Sequence, residues 1–221
     1  YENIWGSELL ISDFNKFQRE SHFAYLPMPG RDKVTKEPWR TGLSYLYNSF
    51  GKEWKNLDLP FLKKIDMKKS WQLISAIDKK INCPLSCSVG RLFDAVAALL
   101  NICVESNYHE EAPLLLENHL TDGIKSEYPL SGEKIISFSP MIRSMVSDIY
   151  AKKTVAEIVT KFHNTVARVA YLQVKSASEL AILLGLVLVG LSGLFIGGPY
   201  MTRKEGVSIT LSIWAYAFNN V

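Results

Sequence analysis

Between two loops the chain runs Ser86-Cys87-Ser88-Val89-Gly90-Arg91-Leu92-Phe93-Asp94-Ala95-Val96-Ala97-Ala98-Leu99-Leu100. A hydroxyl-bearing turn leads into a Gly-Arg pair, then into an apolar helix that carries a single acid. Leu92, Phe93, Val96, Leu99 and Leu100 point toward a core, so the fold has to be built around this helix. Gly90 and Asp94 stand one turn apart and share a helical face. A bare backbone at Gly90 admits a flat ligand at close range, and Asp94 is placed to accept hydrogen bonds from a ribose hydroxyl. The same residues also fit an N-capped amphipathic helix with an exposed acid.

A chain of 221 residues, 48% hydrophobic and 21% charged, can bury one sizeable core or two small ones. The net charge of +3 is too small and too scattered to argue for nucleic acid. Lys63-Lys64 and Lys68-Lys69 are diluted by Asp58, Asp66 and Asp78 and read as a solvated face. Three cysteines, Cys83, Cys87 and Cys103, make no disulfide framework and fit a reducing cytoplasm. Cys83 and Cys87 have no second pair to complete a zinc site, and all three read as buried thiols. Tyr1 to Gly6 shows no signal peptide and reads as the interior of a domain, the first hint of a fragment.

Proline and glycine punctuate the rest. Residues 1–30 read as short strands and loops closing on Pro27-Met28-Pro29-Gly30. A helix is predicted from Pro38 to Gly51, with Trp39, Leu43, Leu46, Tyr47 and Phe50 at helical spacing. Residues 52–68 read as polar and irregular, and Ser70 as the cap of the next helix, which Asn82-Cys83-Pro84 breaks. Further helices are predicted over Gly90–Cys103, over Leu114–Leu120 opened by Pro113, and from Pro140; Ile135–Phe138 is a candidate strand. Thr154 begins the longest helix, periodic through Ala170. From Leu180 to Thr202 no residue is charged, and the apolar run reads as a buried strand followed by the Ser192-Gly193 turn.

The Ser86–Leu100 segment resembles the "T-S-S-x-G-R-L-F-D-A-V-A-A-L-L" stretch of HypF carbamoyltransferases. Ile4-Trp5-Gly6-Ser7-Glu8 is similar to that family's "I-W-G-G-E", Pro27-Met28-Pro29-Gly30-Arg31-Asp32 to "P-M-P-G-G-D", and Glu37-Pro38-Trp39-Arg40 to "E-P-W-R". Tyr108-His109-Glu110-Glu111-Ala112 through Leu116-Glu117 is similar to "Y-E-G-Q-A-A…L-E", and Phe162-His163 to "F-H". The matches keep the family's order over residues 1–172. The resemblance implies a helix-rich α/β chain, part of an actin/hexokinase-type nucleotide-binding fold: residues 1–175 as the C-terminal portion of the carbamoyl-transfer module, and 176–221 as its degenerate continuation. It implies transfer of a carbamoyl group, from a carbamoyl-adenylate made from carbamoyl phosphate and ATP, to the C-terminal cysteine of a HypE-like acceptor in [NiFe]-hydrogenase maturation.

Such an acyl transfer needs a positioned adenylate, donors for the developing oxyanion and protection from water. Ser86 and Ser88 are candidates to donate to carbamoyl or phosphate oxygens, Arg91 to neutralise the phosphate, and Gly90 and Asp94 to hold the nucleoside. Ser86 or Ser88 also fits a plain helix N-cap, and Arg91 a surface ion pair with a neighbouring acid. Ser192-Gly193 stands where the family has "L-S-G-G-V-F", a backbone approach to phosphate, but Leu194 replaces the second glycine. His163 reads as a packed histidine; His22, His109 and His119 are dispersed. The metal ion expected for the full module finds no ligand motif, so no metal ligand is assigned. Two other readings stay open. One is an O-carbamoyltransferase or tRNA-modifying relative. The other is a membrane-associated protein through residues 180–202, which the interrupting glycines and Pro199 disfavour.

Overall fold

Proline stands at the start of three helices, and glycine or a left-handed residue ends several. The computed structural model describes residues 3–13, 16–108, 110–183 and 207–211. In chain order these form β1 (Glu8–Asp13), β2 (Phe17–Phe23), β3 (Leu26–Pro27), α1 (Lys33–Lys36), α2 (Pro38–Phe50), α3 (Pro60–Lys64) and α4 (Met67–Asp78). They continue with β4 (Leu85–Ser86), α5 (Val89–Leu99), α6 (Glu111–Glu117), β5 (Ile135–Ile136), α7 (Ser139–Tyr150), α8 (Val155–Leu183) and β6 (Val207–Leu211). Pro38 opens α2, where its missing N–H has no intrahelical partner to lose. Gly51 closes it at φ 55, its N–H returning to the Tyr47 carbonyl. Thr154 Oγ1 caps α8 by accepting from Glu157 N–H at 3.1 Å.

The strands make a four-stranded sheet in the order β5-β2-β1-β6 and a separate β3-β4 pair. β1 runs antiparallel to both β2 and β6, with a register shift between Leu9 and Leu10, while β5 joins β2 in parallel. The N-terminal chain also reaches the second pair, since Ile4 bridges Ser86 in parallel. The loop that precedes α5 is therefore tied to the segment that precedes β1.

Helix α5 lies in the middle of the core. Leu92, Ala95, Val96 and Ala97 are sealed from solvent. Gly42 lets α2 approach it: a Cβ there would stand 3.1 Å from Ala98 Cβ and 3.3 Å from the Phe61 ring. On another side, Phe93 meets Phe162 of α8 edge-on at 4.8 Å and His163 at 5.3 Å. Truncating a sealed aromatic such as Phe162 costs about 3–5 kcal/mol.

Several sequence expectations are corrected. Residues 52–68 are not irregular: a 3-10 turn, Gly51–Asn56, and α3 bury Trp54, Leu59 and Phe61. Asp66, not Ser70, caps α4, its carboxylate accepting from Lys68 and Lys69 N–H at 2.8 and 3.2 Å. Ser70 is buried one turn inside, donating back to the Asp66 carbonyl at 2.9 Å. α5 stops at Leu99 instead of Cys103, with Asn101 turning left-handed beyond it, and α6 begins at Glu111, ahead of Pro113. The strand at Ile135 is only two residues long, because Phe138 is already the cap position of α7. α8 carries on to Leu183, so Leu180–Leu183 are helical where a strand was predicted. Lys63, Lys64, Lys68 and Lys69 are exposed, and Lys63 pairs with Asp58 at 2.7 Å, as a solvated face requires. No helix among the described residues is long and apolar enough to cross a membrane; residues 184–202 lie outside them.

Candidate functional site

The two chain segments that meet before α5 build the site. Gly6 lies so close to Ser88 that a Cβ would come within 2.8 Å of the Ser88 Cα, so only glycine fits there. That approach brings Ser7 Oγ to the start of α5, where it accepts the Val89 N–H at 2.9 Å across 82 residues of sequence. Ser88 holds the N-cap position by backbone, at φ −66 and ψ 127, but its hydroxyl makes no capping bond. Ser86 is buried and turns its Oγ inward to accept the Ser88 N–H at 3.2 Å. The N-cap reading thus holds for Ser88 by position and not for Ser86, while the capping hydroxyl comes from Ser7. Ser88, Gly90 and Arg91 are half-buried on the rim, and a Cβ on Gly90 would meet only Ser88 Oγ, at 3.6 Å.

Asp94 is not the exposed acid of the simpler reading. It is 4% exposed, and its Oδ2 lies 2.5 Å from Arg91 NH1, one turn back on α5. Arg91 does pair with a neighbouring acid, but within the half-buried rim and not on an open surface. From α2, the buried Tyr45 adds a phenol to this polar patch. Burial, then the fields of Cys87 and Asp94, hold that phenol well above its usual range, so it stays protonated.

Behind the loop lies a second layer. Glu8, 1% exposed, accepts the Gly6 N–H at 2.9 Å and the Cys87 thiol at 2.9 Å. Burial, followed by the Glu8 hydrogen bond, pushes the Cys87 thiol up to about 11, so it acts as a donor and not as a thiolate. Arg19 stands 3.8 Å from Glu8, donates to the Tyr25 hydroxyl at 2.8 Å and lies 4.5 Å over the Trp5 ring. Cys103 is also buried, but Cys83 is only half-buried, so the third thiol departs from the expectation. His163 packs as expected: Nδ1 bonds the Val159 carbonyl at 2.9 Å, and burial lowers its pKa.

Ser86, Ser88, Gly90, Arg91 and Asp94 are therefore gathered around one helix start. Ser192, Gly193 and His109 lie outside the described residues. Among the described residues no three His, Cys, Asp or Glu side chains converge to hold a metal ion, so no step is derived through one. Arg19, Tyr25 and Tyr45 carried no signal as site residues in sequence, and Ser7 only as a member of Ile4-Trp5-Gly6-Ser7-Glu8. Glu8 carried one only as the last residue of Ile4-Trp5-Gly6-Ser7-Glu8.

Residues 2–195 match the family described as carbamoyltransferase, Kae1-like domain, second subdomain. The chain belongs to the HypF carbamoyltransferase family. Among relatives, the probable carbamoyltransferase HypF of Methanocaldococcus jannaschii is 39% identical over 118 residues, covering 52% of this chain and 15% of its own. The carbamoyltransferase HypF of Synechocystis is 28% identical over 180 residues, 73% of this chain and 23% of its own. A solved structure of full-length HypF in the phosphate- and nucleotide-bound form superposes with a TM-score of 0.72 at 31% identity, over 86% of this chain and 25% of that one. HypF of T. kodakarensis gives 0.70 at 28% identity, over 86% and 26%. The helix-rich α/β reading, as part of a Kae1-like module, therefore stands. The chain spans between 15% and 26% of the lengths of these HypF relatives.

Proposed function

We propose that this chain supplies one wall of a carbamoyl-adenylate cleft, serving carbamoyl transfer to the C-terminal cysteine of a HypE-like acceptor in [NiFe]-hydrogenase maturation. The observation that carries the reading is the remote cap. Because Ser7 satisfies the first N–H of α5, the Ser88 hydroxyl and the bare Gly90 backbone remain on the rim beside Arg91. In this reading the nucleoside lies against Gly90, and Asp94 accepts from the ribose through the carboxylate oxygen turned away from Arg91. Arg91, with five donors, keeps its pair with Asp94 and still reaches the adenylate phosphate. Ser88 donates to the carbamoyl or phosphate oxygen, and Ser86 holds the loop in place for it.

In the transfer itself the acceptor thiolate attacks the carbamoyl carbon. The C–S bond forms, the bond from that carbon to the adenylate phosphate oxygen breaks, and AMP leaves with the electron pair. Carbamoyl phosphate and ATP are the substrates from which the adenylate is made. The free thiols Cys83, Cys87 and Cys103 suit a reducing, cytoplasmic setting. The second wall of the cleft is assigned to parts of HypF that this chain does not span, so the chain alone is expected to bind nucleotide without completing turnover. Calorimetric titration with ATP tests the reading. Binding that Asp94→Asn weakens at least about tenfold supports it; wild-type affinity in that variant refutes it. Carbamoyl-adenylate turnover by the isolated chain refutes the single-wall assignment.

A further inference from the structure

A concavity lies at the start of β4, lined by none of the residues assigned to the α5 rim. It is a cleft of about 310 Å³ whose lining includes Asn3, Arg31, Lys80, Asn82 and Cys83. Among the described residues its lining holds two cations, two amides and a thiol. Its walls are fixed to one another through the backbone. Met28 N–H bonds the Pro84 carbonyl at 2.8 Å, Gly30 N–H the Asn82 carbonyl at 2.9 Å, and Ile4 N–H the Leu85 carbonyl at 2.8 Å. The cleft is thus held open before any ligand arrives.

The backbone at its charged corners is unusual. Arg31, Lys80 and Asn82 adopt φ of 52, 55 and 52°, a left-handed conformation that favours glycine. Asparagine tolerates it; arginine and lysine adopt it less often. Lys80 occupies the turn that ends α4, where the Ile81 N–H returns to the Ala76 carbonyl and glycine is the ordinary occupant. Lys152 has the same conformation in the turn that ends α7, so the backbone alone does not mark the site; what does is that two separate loops each bring a cation to the same cleft.

We propose that this cleft is an oxyanion site that takes a phosphate group, held by Arg31 and Lys80 with the Asn3 and Asn82 amides donating beside them. It is independent of the nucleoside reading, because none of its lining residues belongs to the α5 rim. Cys83 reports on it: this thiol is half-buried in the cleft, while Cys87 and Cys103 are buried elsewhere.

The test follows iodoacetamide labelling of Cys83 in the full chain, located by mass spectrometry, as inorganic phosphate is titrated at constant ionic strength. Saturable protection is expected, and Arg31→Gly and Lys80→Gly are each expected to raise the half-protecting concentration about tenfold. Glycine relieves the backbone at both positions. Arg31→Asn and Lys80→Asn, equally tolerant of positive φ, replace any glycine variant that fails to fold. Asp94→Asn is expected to leave protection by inorganic phosphate intact, which separates this site from the nucleotide reading. A parallel titration with AMP tells the source: protection at lower concentration than inorganic phosphate assigns a phosphate ester, and the reverse assigns free phosphate. Labelling that responds to neither probe overturns the proposal, as does protection that persists unchanged in both cation variants.

Discussion

Replacing Gly90 separates the two uses of the α5 rim, because stability and binding move in opposite directions. Gly90 lies in the first turn of α5, and a Cβ there meets only Ser88 Oγ, at 3.6 Å, an ordinary contact. Its φ is not in the left-handed range, so nothing in the backbone demands glycine. A helical glycine is about 0.5–1 kcal/mol less favourable than alanine. Gly90→Ala should therefore stabilise the chain by about that amount, which raises Tm by about 1–4 °C for a protein of this size. Gly90→Leu should fold, since its side chain projects from the half-buried rim. It then covers the surface where the nucleoside is proposed to lie, and nucleotide affinity should fall at least about tenfold. Urea unfolding and calorimetric ATP titration on both variants give the two readouts. A less stable Gly90→Ala shows that the backbone needs glycine for its own sake. Wild-type affinity in Gly90→Leu shows that no ligand approaches this face.

Four further outcomes follow from the geometry. Ser7→Ala should lose about 0.5–2 kcal/mol in urea unfolding while Ser88→Ala stays within about 0.5, because the capping hydroxyl of α5 comes from Ser7 and not from Ser88. Gly6→Ala places a Cβ against the Ser88 backbone and should cost about 1–3 kcal/mol by the same assay. Asp66→Ala should destabilise by about 0.5–2 kcal/mol, and Asp66→Asn much less, since asparagine caps nearly as well. His163 gives a pH signature. Burial lowers its folded pKa below 6.5, so the unfolded chain binds the proton first on acidification. The contribution of His163 is then present above the unfolded value and lost as pH falls through the folded one. Unfolding free energy measured at about pH 7 and about pH 5 should drop, and His163→Gln should flatten that part of the drop.

What the sequence showed depended on how local each cause was. α2, α7 and α8 were legible because proline, glycine or threonine sits within one turn of the apolar period it bounds. The cap of α4 was misplaced by four residues because Asp66 and Ser70 both suit a helix start, and only the fold shows Ser70 buried. Trp54 and Phe61 hid in a polar stretch, since a 3-10 turn and a one-turn helix leave no period to read. The rim was found as a motif, but its supports were not. Ser7 and Glu8 act on Val89 and Cys87 across 82 and 79 residues, and Tyr45 arrives from another helix. No spacing within a segment encodes such contacts. Asp94 looked exposed because an acid on an amphipathic helix usually is; the pairing with Arg91 lets it sit inside.

The bond from Ser7 to Val89 also orders events in time. The hydrogen bonds within α5 are local, whereas this cap closes a loop of 82 residues, whose entropy must be overcome before the bond forms. The helix can therefore exist before its rim does. Amide hydrogen exchange at Val89 would then report the undocking of the N-terminal chain, not the fraying of α5, and should match the exchange of Phe23, whose N–H is held by the Ser7 carbonyl at 3.1 Å.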